Sequence, residues 1–142
     1  MSERQTVRLF VNGQGMSGGA LNGPLQSQTF IGPATTAARY RFFSVRGEFP
    51  ALRPAERAGS AGSRGAAGGA IEGELYDVDL AVLREVFLPR EPPELELAVI
   101  EMSDGSGAFA VRLRPGLETS LPGLTEITAL GGWRRYQETL RP

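Results

Sequence analysis

The chain has 142 residues, of which 41% are hydrophobic, and its 15 basic and 16 acidic side chains leave a formal net charge of −1. This length predicts one domain, residues 1–142, whose core buries roughly 70% of the unfolded chain's surface. The sequence contains no cysteine and no histidine, and every basic residue is arginine. These absences exclude zinc sites built on Cys or His, thiol redox chemistry, Ser-His-Asp catalysis, Schiff-base chemistry and the phosphate-loop lysine. We therefore expect no metal and no cofactor, and any chemistry has to come from carboxylates, hydroxyls, arginine, amides or the backbone.

The charge and hydropathy patterns also exclude several kinds of partner. The arginines are scattered in ones and twos, so the sequence predicts no nucleic-acid binding. No apolar run approaches the ~18 residues that a membrane span requires, and the first residues lack the apolar stretch of a signal peptide. We expect a cytoplasmic protein, a compartment that the lack of cysteine fits.

The first half of the chain predicts three strands and two glycine-rich loops. Alternating apolar residues predict a strand at residues 6–11, and residues 13–23, with five glycines, predict a functional loop. A short strand is expected near residues 30–31, ending at Gly32 and Pro33. Aromatic residues on both faces predict a central strand at 39–45. Residues 54–69 are rich in Gly, Ala and Ser, which predicts a flexible surface loop joining two strands.

The second half mixes strands with two helices. A strand is predicted at residues 70–76, with Glu72, Glu74 and Tyr76 on its polar face. Asp79 is a candidate N-cap for a helix that ends before Pro89. Residues 95–102 and 108–113 read as a hairpin across a turn at 103–106, and Thr128 is a candidate cap for a last helix through residue 140. About six strands with two short, late helices predict an α+β fold with a mostly antiparallel or mixed sheet, in the form of a partly closed barrel.

The glycine-rich loop admits three interpretations. Residues 13–18 match the G-x-G-x-x-G pattern of dinucleotide-binding loops. Gly and Pro interrupt residues 19–24, where that motif needs a helix, and residues 32–41 contain no acidic residue for the ribose. The loop could be a plain turn, or its exposed N–H groups could bind a carboxylate or amide. The last interpretation is favoured, with Gln14, Ser17 and Asn22 as side chains able to bond an amide-bearing ligand or to cap the loop itself.

Carboxylates are the only side chains in this composition that can transfer protons near neutral pH. Glu72, Glu74, Glu91 and Glu94 form the candidate set, because a carboxyl group in a partly dry pocket can have its pKa raised toward neutrality. The alternative is that each of them is solvated or paired with arginine.

Several segments together resemble a known superfamily. LFVNGQGMSGGALN (residues 9–22), FIGPATT (30–36), YRFF (40–43) and GAIEGELYDV (69–78) resemble successive strands of gamma-glutamyl cyclotransferase-like proteins. The pairing of the first segment with LELAVIEMSDG (95–105) and ITALGGWRRY (127–136) resembles the C-terminal domain of allophanate hydrolase and its free-standing relatives. The order of the segments, which span nearly the whole chain, carries the resemblance.

The resemblance implies a gamma-glutamyl cyclotransferase-like small mixed β-barrel with flanking short helices and a cavity beside the first loop. Backbone N–H groups of that loop would bind the substrate, which here means Asn12, Gly13, Gln14, Gly15 and Met16. In the cyclotransferases, a glutamate shortly after the helix is the acid/base group. An ungapped count puts Arg90 at its position and Glu91 one residue later. We take Glu91 and Glu74 as candidate catalytic residues, and Ser17 and Asn22 as further substrate-binding candidates.

Three functions are compatible with these residues and this resemblance. The first is an allophanate hydrolase C-terminal-like domain that binds a small carboxylate or amide. It would assist hydrolysis or decarboxylation in urea or amide nitrogen metabolism, with a separate amidase as its partner. The second is a gamma-glutamyl cyclotransferase that uses Glu91 to release 5-oxoproline. The third is a binding or assembly module without catalysis.

Overall fold

The computed structural model describes residues 5–55, 68–117 and 120–140. Within these ranges the chain forms eight strands. They are β1 (Thr6–Val11), β2 (Thr29–Thr35), β3 (Tyr40–Val45), β4 (Phe49–Pro54), β5 (Glu72–Asp79), β6 (Leu95–Glu101), β7 (Gly107–Leu113) and β8 (Leu124–Glu126). The helices are α1 (Leu80–Val82), continued by a π turn (Leu83–Phe87) and a 3₁₀ turn (Leu88–Arg90), and α2 (Trp133–Thr139). Two further 3₁₀ turns lie at Gly23–Leu25 and Thr128–Leu130. None of the helices in the described ranges is long and apolar enough to cross a membrane.

The strands form two sheets, which confirms the predicted α+β class. The larger sheet has the order β2-β5-β1-β7-β6, in which only the β1–β7 pair is parallel. The smaller sheet has the order β4-β3-β8 and is antiparallel. The main core includes the fully buried Phe10, Phe42 and Val78 together with Trp133 of α2. A second cluster lies between the smaller sheet and the β6–β7 hairpin, around Val45, Leu95 and Leu113.

The strands of the described ranges form no closed barrel, because the edge strands of the larger sheet do not pair along their length. Its edge strands β2 and β6 meet only where they end. There the Ala37 N–H donates to the Glu101 carbonyl (3.0 Å), and the Ser103 N–H donates to the Thr35 carbonyl (3.0 Å). The prediction of about six strands missed β4 and β8. Both pair with β3 in a sheet of their own instead of completing a ring.

Two predictions in the first half need correction. β2 does not end at Gly32 and Pro33 but continues to Thr35, after a register irregularity between Phe30 and Gly32. As an edge strand it tolerates a proline, which lacks an N–H donor. The segment predicted as a flexible loop at 54–69 begins with Pro54, the last residue of β4, and Gly69 exchanges two backbone hydrogen bonds with Tyr40 (3.2 and 2.7 Å). Residues 56–67 of that predicted loop lie outside the described residues.

In the second half, the face of β5 predicted to be polar is buried over part of its length. Glu74 and Tyr76 are 5% and 4% exposed, because the loop after β1 and helix α2 cover them: Ser17 and Arg134 bond Glu74, and Asn22 bonds Tyr76. Glu72, on the same face, is exposed. The helix predicted to end before Pro89 continues past it, because α1 and its π and 3₁₀ turns form one helical run (residues 80–90) with Pro89 at the start of the 3₁₀ turn. Asp79, the candidate N-cap, makes no side-chain capping bond. The β6–β7 hairpin is confirmed.

The last predicted helix begins later than expected. Thr128 opens a 3₁₀ turn, and Gly131, with φ 73°, ends it before α2 starts at Trp133. The Thr128 hydroxyl is therefore not a helix cap. It accepts a hydrogen bond from the Phe42 N–H of β3 at 2.9 Å.

Candidate functional site

A small cavity lies where β1 ends, between the following loop, the start of β4 and the end of the helical run. Its volume is about 40 Å³, which leaves space for a ligand of few atoms. Its walls combine apolar side chains with the loop backbone and one carboxyl group. The lining residues that matter most are Asn12, Gly13, Gln14, Gly15, Phe49, Pro50, Phe87 and Glu91.

The loop that follows β1, which we call the glycine loop (residues 12–22), holds its shape through its own backbone. The Met16 N–H donates to the Gly13 carbonyl (3.1 Å), and the Leu21 N–H donates to that of Gln14 (2.9 Å). The N–H groups of Gly13, Gln14 and Gly15 have no acceptor within residues 5–55, 68–117 and 120–140. These three residues line the cavity. Successive free N–H groups of this kind suit a carboxylate or carbonyl oxygen.

Two glycines of this loop, Gly13 and Gly19, are required by close packing. A Cβ atom at Gly13 would lie 2.5 Å from two ring carbons of Pro50, and one at Gly19 would lie 2.2 Å from the Gln14 carbonyl oxygen. The loop is followed only by the three-residue 3₁₀ turn Gly23–Leu25. It therefore lacks the long helix that the dinucleotide interpretation needs.

Asn12 is the buried polar side chain of the cavity. It is 7% exposed, and among the described residues no group hydrogen-bonds its amide. Its amide atoms are not among the fully buried polar atoms that lack a partner in the described ranges, so a ligand group that bonds Asn12 in the cavity takes the place of water. The side chain offers both a donor and an acceptor.

Glu91 brings a titratable group into the same cavity. It follows the 3₁₀ turn Leu88–Arg90 in an extended conformation, with its N–H bonded to the Leu88 carbonyl (3.0 Å). No arginine in the described ranges pairs with its carboxyl group. Burial disfavours the charged form and raises the pKa of Glu91 from 4.5 to about 7. Apolar neighbours in the lining, including Phe87 and Leu95, account for this environment.

Glu74 lies outside this cavity and has a different environment. Its carboxylate accepts bonds from the Ser17 N–H (2.7 Å), the Ser17 hydroxyl (2.7 Å) and the Arg134 guanidinium (3.2 Å). Burial acts to raise the pKa of Glu74, but the Ser17 bonds and Arg134 outweigh it, so its pKa is below the ordinary value. The group is therefore an ionised, fully engaged carboxylate at neutral pH.

The other candidate residues support the loop. Asn22 is buried and donates from Nδ2 to the Gly15 carbonyl (2.8 Å) and the Tyr76 hydroxyl (3.1 Å). Gln14 accepts from the Ala20 N–H at 3.3 Å, and Met16 is buried in the main core.

The two remaining glutamates of the candidate set pair with arginine, as the alternative interpretation proposed. Glu72 pairs with Arg135 and Glu94 with Arg46. Within the described ranges, no cluster of acidic residues is arranged to hold a metal ion.

Sequence reasoning missed the cavity walls that come from β4 and the helical run. Phe49, Pro50 and Phe87 reach the glycine loop only through tertiary packing. The only sequence feature that could have indicated these walls is the aromatic residues of the two segments.

A mixed five-stranded sheet and an antiparallel three-stranded sheet, with the glycine loop after the first strand and Glu91 after the helical run, have the fold of the gamma-glutamyl cyclotransferase-like class. Within that class, a family model described as the allophanate hydrolase C-terminal domain matches residues 7–138. The chain therefore belongs to the allophanate hydrolase C-terminal domain family.

Solved structures show the same fold. A uropathogenic Escherichia coli-specific protein is 29% identical with a TM-score of 0.80, and the match covers 94% of this chain and 97% of that one. Kluyveromyces lactis allophanate hydrolase is 22% identical with a TM-score of 0.82. That match covers 96% of this chain but only 22% of the larger enzyme.

An AIG2-like protein from Mus musculus is more distant, at 19% identity and a TM-score of 0.58 over 84% of this chain and 86% of that one. It supports the cyclotransferase-like fold class. A search of curated proteins found no match.

Proposed function

We propose that the chain binds a small carboxylate or amide in the cavity and transfers a proton to or from it through Glu91. The observation that carries the proposal is that Glu91, with its raised pKa, lines the same cavity as the free N–H groups of Gly13, Gln14 and Gly15. In this proposal the loop N–H groups hold a ligand oxygen, and the Asn12 amide bonds a second polar group of the ligand.

A carboxyl group with a pKa near 7 is half protonated near neutral pH, which suits both donation and acceptance of a proton. If the ligand is an N-carboxylated amide, its N–C bond breaks as CO₂ leaves, and the electron pair stays on nitrogen. The Glu91 carboxyl then supplies the proton to that nitrogen and is reprotonated from water. Hydrolysis would use the opposite form, with the Glu91 carboxylate accepting a proton from the attacking water.

A separate amidase is the partner that we propose for this reaction. The support is that this chain corresponds to 22% of the Kluyveromyces lactis allophanate hydrolase. The remaining length of that enzyme has no counterpart in this chain. The amidase would supply the carboxylated amide that the cavity receives.

The runner-up is a cyclotransferase in which Glu91 assists attack of a free amine on a gamma-carbonyl. The position of Glu91 directly after the helical run favours it, since the resemblance places the acid/base glutamate of the cyclotransferases there. A third possibility is a binding module that retained the fold without chemistry.

One set of assays separates the three functions. Purified protein is incubated with allophanate and with a panel of gamma-glutamyl amino acids, while CO₂, ammonia and 5-oxoproline are followed. We expect turnover of the carboxylated amide that is lost in Glu91→Gln and retained in Glu85→Gln. Glu85 is a matched control because it is an exposed glutamate of the same helical run, paired with Arg84.

Each other outcome contradicts the proposal in a defined way. Release of 5-oxoproline that depends on Glu91 favours the cyclotransferase. Equal turnover by wild type and Glu91→Gln excludes Glu91 as the proton carrier. If no substrate turns over, but acetate shifts the NMR signals of the Gly13, Gln14 and Gly15 amides, the chain is a binding module.

A further inference from the structure

Glu74 is the charged residue that the proposed function leaves without a role. It is 5% exposed and does not line the cavity, although it is joined to the loop that does. Burying a carboxylate is costly unless donors surround it. Here Ser17 provides two donors and Arg134 a third.

These contacts join three distant parts of the chain. Arg134 of α2 donates not only to Glu74 but also to the Ser17 carbonyl (2.8 Å) and its hydroxyl (3.3 Å). Ser17 is thus held through its N–H, its hydroxyl and its carbonyl. The carboxylate on β5 and the guanidinium on α2 together enclose a single residue of the glycine loop.

The loop needs such an anchor because of its composition. It contains four glycines within residues 12–22, and glycine loses more conformational freedom on ordering than any other residue. The hydrogen bonds inside the loop fix its turns, and Asn22 ties it to Tyr76 at one end. Ser17 is the point at which charged groups hold the middle of the loop.

We propose that Glu74 and Arg134 are positioning residues, which hold the glycine loop through Ser17 in the conformation that presents its free N–H groups to the cavity. This inference rests on the proposed function, since the benefit of a fixed loop is the binding of a ligand oxygen. Pre-ordering the donors removes an entropic cost from binding. Neither residue touches the ligand in this arrangement.

The chain contains a matched control pair. Glu72 lies two residues before Glu74, and it pairs at 2.7 Å with Arg135, the neighbour of Arg134 on α2. This second bridge links the same strand to the same helix, but among the described residues no hydrogen bond joins it to the loop. Glu72→Gln and Arg135→Gln therefore remove a β5–α2 ion pair without changing the contacts of Ser17.

The experiment measures amide hydrogen exchange and acetate binding by NMR in wild type, Glu74→Gln, Arg134→Gln and the two controls. We expect Glu74→Gln to speed exchange of the loop amides about tenfold and to weaken acetate binding about tenfold. The amides of β7 and the pKa of Glu91, followed by carboxyl ¹³C shifts, should not change. Arg134→Gln should act in the same direction, and both controls should match wild type.

The outcomes distinguish failure of the proposed ligand site from failure of the positioning role of Glu74 and Arg134. If wild type shows no acetate shift at the loop amides, the proposed ligand site fails, and loop exchange alone still tests the anchor. If Glu74→Gln exchanges and binds like Glu72→Gln, the positioning role is wrong. If Glu74→Gln does not fold, Ser17→Ala removes only the hydroxyl bonds. It should give a smaller change in the same direction, and an unchanged loop would overturn the inference.

Discussion

Replacing Glu91 with glutamine should stabilise the protein at alkaline pH and leave its stability unchanged in acid. The pKa of Glu91 is raised from 4.5 to about 7 by burial in the cavity wall. Between these values the unfolded chain has lost the proton while the folded chain keeps it. The free energy of unfolding of the wild type therefore falls as pH rises through this interval, and the loss is complete above the folded pKa.

The expected magnitude follows from the size of the shift. A difference of 2.5 pKa units between 4.5 and about 7 corresponds to about 3 kcal/mol. Because solvent reaches part of the side chain, we expect a measured difference of about 2 kcal/mol. Glutamine has nearly the same shape and carries no charge at any pH, so the variant should lack this loss.

The assay is urea unfolding followed by the fluorescence of Trp133, the single tryptophan of the chain, at a series of pH values. Glu91→Gln should exceed wild type by about 2 kcal/mol near pH 8 and match it near pH 4. Glu85→Gln, on the same helical run, should follow the pH profile of the wild type. A Glu91→Gln difference that does not vary with pH would refute the burial argument and with it the reason for assigning proton transfer to Glu91.

Two further predictions concern the glycine loop. Gly13→Ala should lower the free energy of unfolding by about 1–3 kcal/mol and weaken acetate binding, because its Cβ would lie 2.5 Å from Pro50. Urea unfolding and NMR titration check this. Gly23→Ala has open space around its Cβ, so its free energy of unfolding and its acetate affinity should equal those of the wild type within experimental error. Equal effects of the two variants would contradict the packing argument. Asn22→Ala should cost about 1–3 kcal/mol in the same unfolding assay, since it leaves the Gly15 carbonyl and the Tyr76 hydroxyl without their donor. A cost no larger than that of the exposed Gln26→Ala would show that water replaces Asn22.

The elements with strong local signals were predictable from the sequence. β1 has the predicted bounds because its alternation ends at Asn12 and Gly13, and the β6–β7 hairpin follows from its turn residues. β4 gave no such signal, because prolines at both of its ends suggest loop. It is a strand because β3 pairs with it from Tyr40–Pro54 to Val45–Phe49. β8 has three residues and likewise depends on pairing with β3.

The candidate site was predictable in its residue types but not in their roles. Residues 74 and 91 are both glutamates, and the sequence placed them in one candidate set. Their difference comes from tertiary contacts, since Glu74 meets Ser17 and Arg134 whereas Glu91 meets apolar walls. Such contacts join residues 57 and 60 positions apart, which no local pattern records.

The position of Glu91 has a physical explanation in the helix that precedes it. An ungapped count places Arg90, and not Glu91, where the related cyclotransferases have their acid/base glutamate. The helical run contains a π turn, in which the Leu88 N–H bonds to the Leu83 carbonyl five residues back instead of four. A π turn takes up one more residue than an α turn over nearly the same length of axis. A glutamate that is one residue late in the sequence can therefore occupy the same place in the fold, and here its carboxyl group lines the cavity. We propose that the helix geometry compensates the offset in sequence, so that Arg90 at the counted position does not argue against Glu91 as the proton carrier.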